Sequence, residues 1–118
     1  MFEYSEEYDK EIMELNGIFF CCEEAEDGYE DEAKSLSKAY YDKLDDIAEF
    51  MLNERLSDFY GESIELDADI IKENLGTPMI DLDTHQIIYC EQTLDDIHVF
   101  EVEFGDDLDD LLYCSVDG

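Results

Sequence analysis

The sequence predicts an α+β fold. The expected order is an N-terminal β-hairpin, a long amphipathic helix plus a short helix, and a C-terminal antiparallel meander, with the helices on one face of the sheet. Three observations lead there. Asn16-Gly17 separates two apolar-rich runs, apolar residues recur every three or four positions from 29 to 60, and apolar and acidic residues alternate beyond residue 97.

The hairpin comes from runs 11–15 and 18–23, which flank Asn-Gly. Those two residues tolerate the positive φ that a type I′ turn demands. A short helix over 5–15 is the competing reading of this stretch, and 24–28 reads as an acidic loop.

From 29 to 60 the period changes. Ala33, Leu36, Tyr40, Leu44, Ile47 and Met51 form one stripe, then Leu52, Leu56 and Phe59 continue it after a slip of one position. This is an amphipathic helix, with a break expected near Asn53. Glu30, Asp31 and Glu32 suit its positive N-terminal end, and Gly61 stops it. A second helix has Asp67 as N-cap, Ile70, Ile71 and Leu75 as apolar contacts, and Gly76 and Pro78 as its stop.

Strands are expected at 79–82, 86–92, 97–104 and 111–116, with turn-like, mostly acidic separators. In the third, His98, Phe100, Val102 and Phe104 face one way and Glu101 and Glu103 the other, so one face is buried and one wet. The 118 residues suit a single domain, 1–118.

Charge dominates the functional reading. Against 36 Asp and Glu stand 6 Lys and Arg, a formal net charge of -30. Direct binding to nucleic acid or an anionic membrane is excluded by repulsion. A folded chain of this mass exposes roughly 6,600 Å². Spread evenly, its carboxylates would lie about 13 Å apart, beyond the Debye length of about 8 Å. Only clustering makes the field strong: twice the average density approximates a nucleic acid duplex, which carries one charge per roughly 1.7 Å of axis.

The acidic N-terminus lacks the positive region of a signal peptide, and the longest apolar run, 18–22, is too short to span a bilayer. Four cysteines without an export signal point to reduced thiols in the cytoplasm.

Sites for chemistry find little support. Carboxylate pairs occur everywhere and discriminate nothing. Asp81-Leu82-Asp83-Thr84-His85 begins a calcium-loop pattern and fails at its fifth position. His85, His98, Cys90 and Cys114 could meet as zinc ligands only if the strands brought them together, and no Cys-x-x-Cys pair helps them. No nucleophile motif and no phosphate-binding glycine loop occurs. The expectation is a protein without catalysis, cofactor or metal.

Leu94-Asp95-Asp96-Ile97-His98-Val99-Phe100-Glu101-Val102-Glu103-Phe104, with Leu112-Tyr113-Cys114-Ser115-Val116-Asp117-Gly118 after it, resembles the tail of small acidic bacterial immunity proteins. These accompany polymorphic toxins, including those of contact-dependent growth inhibition. The resemblance covers the last 55 residues or so and rests on layout. It implies cytoplasmic residence, no catalysis and tight binding to a cognate toxin, often a nuclease. Phage-encoded DNA mimics that block restriction or CRISPR nucleases share the composition and size, and form the alternative.

Both readings need an acidic surface that docks on a basic protein. The candidates are Asp81, Asp83, Asp95, Asp96, Glu101, Glu103, Asp106, Asp107, Asp109 and Asp110, with Tyr89 and Tyr113 as anchors. The competing surface is the helix cluster Asp42, Asp45, Asp46 and Glu49.

Overall fold

The structure, a computed structural model, describes residues 1–117. Seven strands form one sheet in chain order: β1 (Glu3–Ser5), β2 (Lys10–Leu15), β3 (Ile18–Cys22), β4 (Met79–Asp81), β5 (Gln86–Tyr89), β6 (Val99–Phe104) and β7 (Leu111–Asp117). Between β3 and β4 lie α1 (Tyr29–Met51), a π-helical stretch (Leu52–Leu56), α2 (Ser57–Tyr60) and α3 (Ala68–Asn74).

Every neighbouring pair of strands is antiparallel except β3 and β4, which are parallel. A tight turn cannot join parallel strands, whereas a long helical crossover can. The crossover therefore welds the N-terminal hairpin and the C-terminal meander into a single sheet.

Asn16 and Gly17 both have positive φ, 53° and 79°, as the hairpin turn requires. The competing helix over 5–15 is overturned, because Lys10–Leu15 pairs with β3 from Glu11↔Cys22 to Leu15↔Ile18. The acidic lead-in supplies one further strand, β1, paired through Glu3↔Ile12 and Ser5↔Lys10.

The helical slip has a physical form. Ala33, Leu36, Tyr40, Ile47 and Met51 are buried along α1, and Leu56 is the next residue buried. The Ser57 N–H bonds the Leu52 carbonyl, five residues back rather than four. One extra residue is thus absorbed without breaking the helix, and the apolar stripe keeps facing the sheet. At the start of α3, Asp67 Oδ1 accepts from the Ile70 N–H at 2.8 Å. Gly76 turns the chain at φ 72°, where a Cβ would lie 2.7 Å from the Glu91 carbonyl oxygen.

The core lies between the helices and one sheet face. Met13, Phe20, Ile80, Ile87, Val102 and Cys114 are cross-strand neighbours in one row, and all are buried. Tyr40, Ile47, Met51, Leu56 and Ile71 close over them from the helices. Two strands end sooner than the alternation suggests, at Asp81 and Tyr89. Among the described residues, no helix is long and apolar enough to cross a membrane.

Candidate protein-binding surface

Strand direction decides where the acidic turns go. With β3 and β4 parallel and the other pairs antiparallel, four connections emerge at the same end of the sheet. The β1–β2 turn brings Glu6, Glu7 and Asp9, and the β3–α1 loop brings Glu23, Glu24, Glu26 and Asp27. Asp83 comes from the β4–β5 turn, and Asp106, Asp107, Asp109 and Asp110 come from the β6–β7 turn. All twelve are exposed. The connections at the opposite end hold Asn16-Gly17, residues 75–78 and the 90–98 loop, whose acids are Glu91, Asp95 and Asp96.

The asymmetry has a magnitude. Six inter-strand spacings of about 4.8 Å make the sheet about 29 Å wide. Twelve carboxylates along that edge amount to one per about 2.4 Å, close to the one per roughly 1.7 Å of a duplex. The acids are clustered, and the even distribution that would leave only a weak field does not occur.

Local bonding fixes this end. Asp83 accepts from the Glu23 N–H at 2.8 Å and the Tyr29 hydroxyl at 2.6 Å. Burial works to raise its carboxyl, but the Tyr29 and Glu23 bonds outweigh that and hold it below the usual range. In the β6–β7 turn, Asp107 Oδ1 accepts from the Asp109 N–H at 2.9 Å, and the Gly105 N–H bonds the Asp110 carbonyl at 2.8 Å. Leu108 is buried as the foot of the turn, and Asp109 pairs with Lys43.

Three of the expected contact residues serve the fold instead. Asp81 is buried, 3.0 Å from Lys10 Nζ, and accepts from the Asp83 and Thr84 N–H groups at 2.9 and 3.2 Å. Tyr89 is fully buried, its hydroxyl 2.7 Å from that of Tyr40, and so is no surface anchor. Asp95, half-buried, is the hub of the 90–98 loop. It accepts from the Tyr60 hydroxyl at 2.5 Å, His98 Nδ1 at 2.7 Å and Gln92 Nε2 at 2.9 Å. Against the effect of burial, those bonds hold its carboxyl well below the ordinary range. Asp96 beside it is exposed, but at the far end of the sheet from the acidic turns.

Glu101, Glu103 and Tyr113 lie together on the sheet face that the helices leave uncovered, through the pairs Glu101↔Ser115 and Glu103↔Tyr113. Tyr113 is 59% exposed. Burial raises the carboxyl of half-buried Glu101, and the neighbouring Asp117 carboxyl raises it further. The alternative cluster Asp42, Asp45, Asp46 and Glu49 is exposed on α1, where Asp45 is 2.5 Å from Lys72 Nζ. Lys34, Lys38 and Lys43 share that helix, so its field is partly cancelled.

The same uncovered face holds a feature that the charge pattern did not reveal. Phe19, Met79 and Ile88 are successive cross-strand partners, with Ile12 one pair along, and all four are half-buried. The signal was present: an unbroken apolar run at 18–22 has apolar side chains for both faces of its strand.

The metal-binding alternative fails on placement. His85 sits in the β4–β5 turn, stacked on Phe104 and bonded to Glu32 and the Gly105 carbonyl. His98 lies at the other end of the sheet with Asp95. Cys114 is in the core and Cys90 is exposed. Among the described residues, no group of three or more His, Cys, Asp and Glu could hold a metal ion. Burial raises the thiols of Cys21 and Cys114 to about 12 and that of Cys22 to about 11. No protein-family model, curated protein or solved structure matches this chain.

Proposed function

We propose that this chain is a non-catalytic cytoplasmic inhibitor that neutralises a basic protein, the nuclease domain of a cognate toxin, by occupying its nucleic-acid cleft. One observation carries the reading: a third of the carboxylates converge on one end of the sheet at nearly the linear charge density of a duplex. A cleft evolved to hold phosphates meets there a similar field on a rigid body. Long-range attraction speeds encounter by about 10- to 1,000-fold. A few desolvated contacts then set the lifetime of the complex.

The test uses the polypeptide encoded immediately upstream, purified with this chain and assayed on DNA and RNA. The expected result is a stoichiometric complex without nuclease activity, whose association slows as salt rises. Asp106→Lys with Asp107→Lys should slow association about tenfold at low salt and flatten its salt dependence. Unchanged kinetics would move the contact to the α1 cluster. No complex and undiminished nuclease activity would overturn the assignment to immunity. Inhibition of a restriction or CRISPR nuclease in its place would replace that assignment with phage DNA mimicry.

A further inference from the structure

We infer that the uncovered sheet face, centred on Phe19, Met79 and Ile88, is the docking surface for a cationic protein that presents apolar side chains ringed by Lys or Arg. This deepens the inhibitor reading and rests on it, giving the complex its desolvated centre.

The sheet has two faces and the helices cover one. The partly buried apolar residues that pack against the core include Leu15, Leu111 and Val116, but not Ile12, Phe19, Met79 or Ile88. Those four lie on the outward face of β2, β3, β4 and β5, Phe19, Met79 and Ile88 in one cross-strand row and Ile12 diagonal to Phe19. A row of large apolar side chains on an open face is the usual mark of an interaction surface.

What surrounds the row selects the occupant. Glu14 pairs with Phe19 on one side, and Glu101 pairs with Ile88 on the other. Glu103 and Asp117 continue the acidic border. Lys10 is the one basic residue in the strands, and Asp81 already holds it. Glu101 and Asp117 are diagonal neighbours on β6 and β7 and share this face, where two carboxyl groups stand close together. A guanidinium or ammonium from outside would relieve that contact. A second copy of this chain is disfavoured, since each carries a net charge of -30 and the two acidic borders would oppose each other. Anionic lipid and nucleic acid are repelled for the same reason.

The experiment maps two synthetic probes on the isotope-labelled full chain by NMR. One is an amphipathic Lys/Leu helical peptide, the other an oligolysine of equal charge. The amphipathic peptide should shift the amides of Phe19, Met79 and Ile88 and bind more tightly than oligolysine, which should shift only the acidic turns. Met79→Ser and Ile88→Thr should each weaken the amphipathic peptide about tenfold and leave oligolysine unchanged. The wild-type map stands even if a variant fails to fold. Mapping of both peptides to the turns alone would overturn the inference. So would concentration-dependent dimerisation that protects the same face. Neither result bears on whether the upstream-encoded polypeptide is inhibited, so the two claims fail separately.

Discussion

Replacing Lys10 with Met tests whether Asp81 is a structural carboxylate rather than a docking one. Lys10 Nζ and Asp81 Oδ2 are 3.0 Å apart, with side chains 31% and 6% exposed. Removing one partner of a fully buried ion pair costs about 3–5 kcal/mol, because it strands the other charge. Two features lower that figure here. Water reaches the Lys10 side of the pair, and Asp81 keeps the Asp83 and Thr84 N–H donors. The expected loss is therefore about 2 kcal/mol, a fall in Tm of about 6–10 °C for a domain of this size. Adding Asp81→Asn to Lys10→Met should recover about half of it, since the amide oxygen still accepts from both N–H groups and no charge is buried. Thermal and urea melts at pH 7 would measure these values in low and high salt. The loss should persist at 1 M salt, because a pair this enclosed is poorly screened. A loss under about 0.5 kcal/mol, or one that vanishes with salt, would refute the reasoning and return Asp81 to the exposed acidic set.

Three further outcomes are expected. Stability should peak in mildly acidic solution. Asp83 and Asp95 are lowered in the fold, so their contribution is complete above about pH 4 and falls away as acid protonates them. Raised Glu101 works in the opposite sense, costing stability above its folded value and sparing it below. Melts from pH 2 to 8 check this: Asp95→Asn should flatten the acid limb and Glu101→Gln the neutral limb, whereas a rise continuing to pH 8 would contradict the sign for Glu101 and a flat acid limb that for Asp83 and Asp95. A thiol reagent at pH 8 should modify exposed Cys90 quickly and Cys21, Cys22 and Cys114 only on unfolding, as mass spectrometry would reveal. Deleting Asn53 should convert the π stretch to α-helix and cost less than about 1 kcal/mol, while deleting Asp42 should unfold the chain by turning half the helix stripe away from the core. Equal damage from the two deletions in circular dichroism melts would sink that account.

The fold was legible where local chemistry decides it. Asn16-Gly17 can supply two positive φ values in succession, and the stripe from Ala33 to Met51 has one solution on a helix. Even the slip at Leu52 was visible, because an extra residue must displace the pattern by one. The parallel β3–β4 pairing was not legible, since it depends on where the chain returns after a crossover of more than 50 residues. β1 was hidden because a three-residue edge strand needs no apolar alternation. The site divides in the same way. Asp106, Asp107, Asp109 and Asp110 were readable because a short acidic turn has to face solvent. Asp81 was misread because its burial depends on Lys10, 71 residues away, and Tyr89 because its partner Tyr40 lies on another element. Asp95 looks like any loop acid until Tyr60, Gln92 and His98 are seen to converge on it.

Three of the few cations sit where they pair with carboxylates from other elements of the fold. Lys10 joins β2 to the end of β4 through Asp81, Lys43 joins α1 to the β6–β7 turn through Asp109, and Lys72 joins α3 to α1 through Asp45. Each holds together segments distant in sequence. His85 hydrogen-bonds Glu32 on α1, and His98 hydrogen-bonds Asp95 within its own loop. If the acids served solubility alone, a net charge of magnitude about 2–8 would suffice and cations could be scattered freely. Instead three of them pair with carboxylates of other elements, and carboxylates such as Glu6, Glu24, Asp106 and Asp110 stand exposed at one end of the sheet. Replacing Asp106 or Asp110 with Lys should therefore raise the melting temperature in low salt by relieving repulsion within the turn, an effect that fades as salt rises. The same replacements should slow capture of a basic partner. Stability and binding would move in opposite directions, which is the expected signature of a surface kept against the interest of the fold.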